Sequence, residues 1–423
     1  MRIHRFIAAG TALAAFTCAA AAPKQDLHRA LTAALKAEDP AAIRVAVAAA
    51  VRSLGDRAGE PEVADRYTPA PAGAHWLTPA EAQPGFAPHF AHLEKLVWWR
   101  VGLDPTQLTQ ALRAPVSVLA GGVAAARAHL DGADRSLALA KDAAEFLLWA
   151  QAQGGGDVFP FPAARGASSD RAMQVGAAFL AHAERTGQLS RVVKNGWVID
   201  DLGDGGLQFD NAECGVALFE YYEFTADPRA LAAARRAADW AARQPLVPNW
   251  NYNSFSVWLL AKAHAVTPDP AYLAAAKKKA LLGVIPGQLT AGPHAGRWAD
   301  PHNARPAYHY IMLRALAQLA AVLPPTDPER AAILRALERG LVARNAEFSA
   351  LGVMNKDNAM ETLLFVHQAF AAAPGFLTTT RSTAALDVLA RAVSADARRQ
   401  KPSLSPRAWG QFLAYAKTRG PQP

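Results

Sequence analysis

Cysteine is nearly absent from this chain. Cys18 and Cys214 are the two it has, and the first falls in a stretch that reads as a cleavable leader. With one cysteine left, neither an intramolecular disulfide nor a cysteine-based metal site can form. The apolar neighbours of Cys214 make it a small buried hydrophobe. Long apolar runs are missing as well: the one near the start is too short to cross a bilayer. The glycine clusters "GGGD" and "GDGG" do not fit the GxxxxGK[ST] phosphate loop. No GxSxG nucleophile elbow occurs. His302 and His309 stand seven apart with Asp300 nearby, and without HxxxH or HxH spacing no metal is expected. No cofactor is expected either. β-branched residues are modest in number and alanine dominates, which favours a mostly helical protein on intrinsic propensity.

What is present begins with "MRIHRFIAAGTALAAFTCAAAAPKQ". Arg2 and Arg5 form a basic start, an apolar stretch follows, and small residues end it at Ala20 to Ala22. This reads as a secretory signal over residues 1–22, with a mature chain beginning near Ala21 to Lys24. Thr17 stands before Cys18 where a lipoprotein signal wants Gly, Ala or Ser, so a lipid anchor is not expected. The expected location is the periplasm or the cell exterior. The formal charge of +8 over 423 residues suits an anionic partner, such as an acidic polysaccharide, a cell-wall polymer or a lipid headgroup. Nucleic acid is not expected, because the basic residues are spread over many helices with no stripe interleaved with aromatics. The run Lys277 to Lys279 reads as a solvated helix face.

From about Asp210 onward, apolar and amphipathic helical segments alternate. "NAECGVALFEYYEF" is apolar nearly all round, and "ALAAARRAADWAARQ" is amphipathic. "SVWLLAKAHAV" is followed by "AYLAAAKKKALL", and "HYIMLRALAQLAAVL" by "PERAAILRALERGLVARN". "AMETLLFVHQAFAAA" and "STAALDVLARAVSADARR" close the series. A period of roughly 40 to 55 residues marks stacked helical hairpins. Inner helices touch neighbours on all sides, and outer helices wet one face. "TADP", "TPDP" and "PTDPE" punctuate each buried-to-exposed turn, with proline near the new helix start. Upstream, "RSLALAKDAAEFLLWAQAQ" reads as an outer helix and "SDRAMQVGAAFLAHAERTG" as an inner one. "LSRVVKNGWVIDDLGDGGLQ" suggests a small β-hairpin near 190–208. A first helix near Leu27 to Leu54 leads into an extended Pro/Gly/Ala-rich segment, so residues 23–88 precede a domain over 89–423. Trp98 and Trp99 are expected in the core.

This layout resembles the (α/α) toroids, in particular the six-hairpin glycosidase-like barrels of many glycoside hydrolases and polysaccharide lyases. The resemblance implies an all-α toroid of about five to six hairpins. It also implies a funnel where the loops leading into the inner helices converge and bind sugar. Those loops carry glycine, aromatics, histidine, arginine and carboxylates together, whereas the opposite turns are short. The expected activity is cleavage of a glycosidic bond in an anionic polysaccharide or oligosaccharide, by hydrolysis or elimination. The rival reading is a non-catalytic envelope module of helical repeats that binds a glycan or protein partner.

Within that frame, "DNAE" at Asp210 and "DNAME" at Asp357 write one motif twice. Asp210 with Glu213, and Asn358 with Glu361, fit capping boxes at inner-helix starts. Asp210 could cap and still present an oxygen, while Asp357 has no role in its box. Both are acid/base candidates for hydrolysis, which needs two carboxylates. The stretch "RWADPHNARPAYHY" offers His302, Tyr308 or His309 as a base for elimination, with Arg297 or Arg305 as a carboxylate clamp beside Trp298. Trp250 and Tyr252 resemble a sugar platform, with Asn253 supplying an amide or a helix cap. Phe159 and Phe161 are expected to pack the rim.

Overall fold

The structure, a computed structural model, describes residues 21–63, 66–95, 111–163, 171–401 and 403–418. The leader up to residue 20, with Cys18, and the pair Trp98 and Trp99 lie outside these. An N-terminal pair, α1 (Ala21–Lys36) and α2 (Pro40–Leu54), is broken where Asp39 caps the second helix ahead of Pro40. Two short helices follow, α3 (Pro79–Ala82) and α4 (Phe90–Lys95). Next come α5 (Arg113–Arg127) and α6 (Ala133–Gln153). A small unit is built from β1 (Phe161–Pro162), α7 (Arg171–Arg185), α8 (Leu189–Val192), β2 (Val193–Lys194) and β3 (Trp197–Val198). The rest is helical: α9 (Gly206–Thr225), α10 (Pro228–Arg243), α11 (Trp250–Val266), α12 (Pro270–Gly283), α13 (Pro306–Val322), α14 (Arg330–Leu351), α15 (Lys356–Ala369), α16 (Pro374–Thr379), α17 (Ser382–Arg398) and α18 (Pro406–Thr418).

Helix contacts trace a closed double ring. α5 packs on α9, α9 on α11, α11 on α13, α13 on α15, α15 on α18, and α18 returns to α5. Outside them, α6, α10, α12, α14 and α17 each pack on the inner helix before them in the chain. The fold is therefore an all-α toroid with six inner helices. The reason lies in residue distribution. α9 and α11 bury side chains around their whole circumference, whereas α10 buries one stripe, mostly alanine, against α9. Small residues on that stripe let an outer helix sit close. Asp227 and Asp269 cap the outer helices by accepting from Arg229 N (2.9 Å) and Ala271 N (2.8 Å), each just before a proline. Cys214 is fully buried inside α9.

Three expectations change. The segment around 171–185, read as an inner helix, is α7 and stands off the ring, with Leu180 and Ala183 in a separate cluster with Val192 and Val198. The first and last inner positions belong to α5 and α18, neither of which was foreseen. Their seam depends on glycine: a Cβ on Gly410 would sit 2.6 Å from the Gly121 carbonyl, and one on Gly121 would strike the Pro406 carbonyl. The lysine run is a solvated face only in part, since Lys278 is exposed and Lys279 is not. Lys277 pairs with Asp327 and Glu329, and Lys278 with Glu38. Lys279 is fully buried, donating to the Gln244 carbonyl at 2.7 Å, and burial brings it down to about 7.

The hairpin is present. β2 and β3 pair antiparallel across Asn195 and Gly196, both at positive φ, as a two-residue turn of the I′ kind requires, and β1 adds a third strand. The proline-rich N-terminal segment docks on the toroid. Thr68 bridges to Val353, and Arg398 of α17 holds the carbonyls of His75 and Trp76. No described helix is long and apolar enough to cross a membrane.

Because the α5–α18 seam leaves no room for a methyl group, Gly121→Ala should destabilise the protein by about 1–3 kcal/mol. Denaturant unfolding measures this, and an unchanged midpoint would mean that the two helices do not meet there.

Candidate active site

The starts of α5, α9, α11 and α13 gather polar side chains at one end of the ring. Arg113, the first residue of α5, donates from Nε to Asp210 Oδ1 at 3.0 Å, and its guanidinium lies 4.0 Å over the Phe209 ring. Tyr252, in the first turn of α11, is buried; burial pushes its phenol well up, with Asp204, Tyr308 and Asp210 adding to the effect. The Tyr308 phenol is also raised by burial. Its ring stacks on His302 at 4.5 Å, and the Arg305 guanidinium lies 4.9 Å from its centre. Glu62, from the N-terminal segment, accepts from Arg305 Nη1 at 3.1 Å and lies 3.4 Å from His302 Nδ1. Five residues singled out in the sequence, Asp210, Tyr252, His302, Arg305 and Tyr308, thus share one mouth.

Asp204 joins them and was missed. The turn "DDLGDGG" places it between Gly203 and Gly205, both at positive φ, so the loop projects its side chain before α9 begins. Asp201 anchors the turn by accepting from Gly203 N (3.1 Å) and Leu207 N (2.9 Å). Asp204 is exposed to solvent on one side, with protein atoms crowded around it on the others. The surrounding protein outweighs that contact, and burial together with the Asp201 charge raises its carboxyl to about 6. The available signal was the pair of glycines flanking an acid.

Other expected site residues are spent on structure. His309 is fully buried, with Nε2 2.9 Å from the Gly296 carbonyl, and burial holds its pKa far below the usual value. Trp298 is fully buried and donates to the Val284 carbonyl at 2.8 Å. Arg297 holds the Gly59 carbonyl and pairs with Glu347. Trp250 packs against Gly287, and Asn253 is buried with its amide on the Val247 and Gly283 carbonyls, both 2.7 Å. Asp357 is half-buried and accepts from Ser405 N, tying the start of α15 to the start of α18. Trp250 is spent on packing, and the others direct a polar atom to a nearby backbone or charged partner.

The capping boxes are also corrected. α9 starts at Gly206 and α15 at Lys356, so Asp210, Glu213, Asn358 and Glu361 lie inside helices. The two glutamates point to the barrel axis. Arg314 of α13 pairs with Glu213 at 3.1 Å and with Glu361. Arg407 of α18 pairs with Glu213 at 2.8 Å, Glu361 at 3.2 Å and Glu220 at 3.4 Å. Both guanidiniums lie over the Trp258 ring of α11, at 3.7 and 4.8 Å. This plug forms the floor beneath the mouth. Among the described residues, no group of three or more acids, histidines or cysteines could hold a metal.

The solved structures similar to this chain include the following two. One is a polysaccharide lyase, 14% identical, with a TM-score of 0.45, covering 77% of this chain and 96% of its own. The other is a family 88 glycosyl hydrolase from Bacteroides vulgatus, 11% identical, with a TM-score of 0.43 and coverage of 77% and 97%. No protein-family model matches the sequence, and no curated protein matches it. Similarity at this level concerns the path of the helices and not the chemistry.

Two outcomes follow from the charges. Arg314→Met would leave Glu213 and Glu361 short of a buried counter-charge and should cost about 3–5 kcal/mol in denaturant unfolding. A loss below about 1 kcal/mol would mean that the pairs behave as surface pairs do. For Asp204, the folded carboxyl binds its proton more tightly than the unfolded one. Its contribution to stability is therefore lost as pH rises from 3.8 to about 6. Asp204→Asn should raise the melting temperature at pH 7.5, and a lowered one would contradict the raised pKa.

Proposed function

We propose that the protein is an exported glycoside hydrolase that cleaves an acidic oligosaccharide or polysaccharide at the mouth of the toroid. The observation that carries this reading is Asp204, a solvent-facing carboxyl on the turn before α9, raised to about 6 and close enough to the buried Tyr252 phenol to shift it. Such a group keeps its proton up to about pH 6 and can hand it to a glycosidic oxygen. As the C–O bond breaks, that proton leaves with the departing sugar alcohol. Water adds to the anomeric carbon, and its surplus proton returns to a carboxylate. Asp210, paired with Arg113, supplies the second carboxylate that hydrolysis requires.

Burial raises both Tyr252 and Tyr308, so their phenols stay neutral. They suit donation to sugar hydroxyls better than removal of an α-proton, which favours hydrolysis over elimination. Arg113 uses Nε on Asp210, and Arg305 uses Nη1 on Glu62. Each keeps further N–H groups for a uronate carboxylate. The basic start and small-residue end of residues 1–22, together with the +8 charge, support export and an anionic substrate.

A panel of uronate-containing oligosaccharides tests this, with reducing-sugar release set against ultraviolet absorbance of unsaturated ends. Hydrolysis should fall as pH rises past about 6. Asp204→Asn should lower kcat by about 10²–10⁴-fold with the fold intact by circular dichroism. Unsaturated products would replace hydrolysis by elimination, binding without turnover would leave a glycan-binding module, and a wild-type rate for Asp204→Asn would remove its role.

A further inference from the structure

Beyond the plug, at the end of the ring opposite the mouth, lies a second hollow. It is a cavity of about 470 Å³ lined by all six inner helices, with the ends of α5 and α18 at its rim. That volume is within the ~300–1,000 Å³ of small-molecule sites. Arg314, Glu361, Arg407 and Trp258 form its floor. Its rim, at Arg127, Glu223, Gln368 and Thr418, is exposed to solvent. From Ala120 beside the floor to Arg127 at the rim, α5 runs seven residues, which makes the hollow ~10 Å deep.

Its charges are matched internally. At the rim Lys262 pairs with Glu223 at 2.7 Å. At the floor Arg314 and Arg407 carry Glu213, Glu361 and Glu220, while Arg127 at the exposed rim donates to the Glu220 backbone carbonyl at 3.4 Å. Below the solvated rim a ligand with net charge would therefore meet only paired charges among the described residues and would lose its hydration for little return. What the cavity offers instead is uncharged. The side-chain amides of Gln318, Gln368 and Gln411 line it, and none makes a side-chain hydrogen bond among the described residues. Val123, Val216, Leu364 and Phe365 supply apolar wall between them. Amides for hydroxyl groups and apolar wall for ring C–H faces suit a sugar without charge.

We propose that this cavity is a second ligand site, taking an uncharged sugar of one or two rings at the end of the toroid away from the mouth. Isothermal titration of the full chain with maltose, cellobiose and lactose tests it, with glucuronate as the charged control. At least one neutral disaccharide should bind at up to about 10 mM and glucuronate more weakly. Ala124→Trp, which fills the cavity, and Gln411→Leu, which removes an amide from its wall, should each weaken binding about tenfold or more. Asp204→Asn at the mouth should leave it unchanged. Circular dichroism confirms that each variant is folded, and Gln411→Leu serves alone if the tryptophan is not accommodated. Absence of binding by all three disaccharides would overturn the proposal. So would binding that survives both cavity substitutions, binding lost in Asp204→Asn, or a preference for glucuronate.

Discussion

Arg314 and Arg407, ninety-three positions apart in the chain, share Glu213 and Glu361 on the axis of the ring. Burying four charges is costly, and each pair offsets that cost only while the geometry of the others holds. The network draws side chains from α9, α13, α15 and α18 and stacks both guanidiniums on Trp258 from α11. It therefore sets the rotation and height of five inner helices at once. A ring of apolar helices alone could slide or turn with little penalty, but these charges make one arrangement far better than its neighbours. The plug also divides the ring into a mouth at one end and a cavity at the other.

Closure of the ring is a separate constraint, met by the absence of side chains. Gly121 and Gly410 let the first and last inner helices approach until backbone touches backbone. That contact brings Arg407 to the axis and sets Arg113 at the start of α5. Arg113 in turn holds Asp210 beside Tyr252 at the mouth. The candidate chemistry thus rests on the inner-helix starts, while the outer helices, capped by Asp227 and Asp269, form the shell.

Much of this was legible in the sequence. Alternating all-round apolar and one-sided helices pointed to a double-layered toroid, because circumference burial follows directly from helical period. Asn-Gly between short apolar runs marked the hairpin. The loops entering the inner helices were legible as the place to look, and Asp210, Tyr252, His302, Arg305 and Tyr308 do meet there. Less legible was the choice within a loop. Trp298, His309 and Asn253 have the right chemistry and the right location in sequence, yet each turns inward to a backbone carbonyl. Asp204 looked like an unremarked turn acid and is raised by surroundings contributed from elsewhere.

The twice-written Asp-Asn-Ala motif shows where the division falls. Local spacing alone determined that these segments are helical, that apolar residues follow, and that a glutamate lies about one turn after the aspartate. Spacing of this kind is compatible with a capping box, because it describes one helix and its own ends. Only the tertiary structure decided that both helices begin earlier and that Glu213 and Glu361 face an axis where two arginines wait. The partner of a buried charge depends on which distant helix is brought against it, and no period within one helix carries that information.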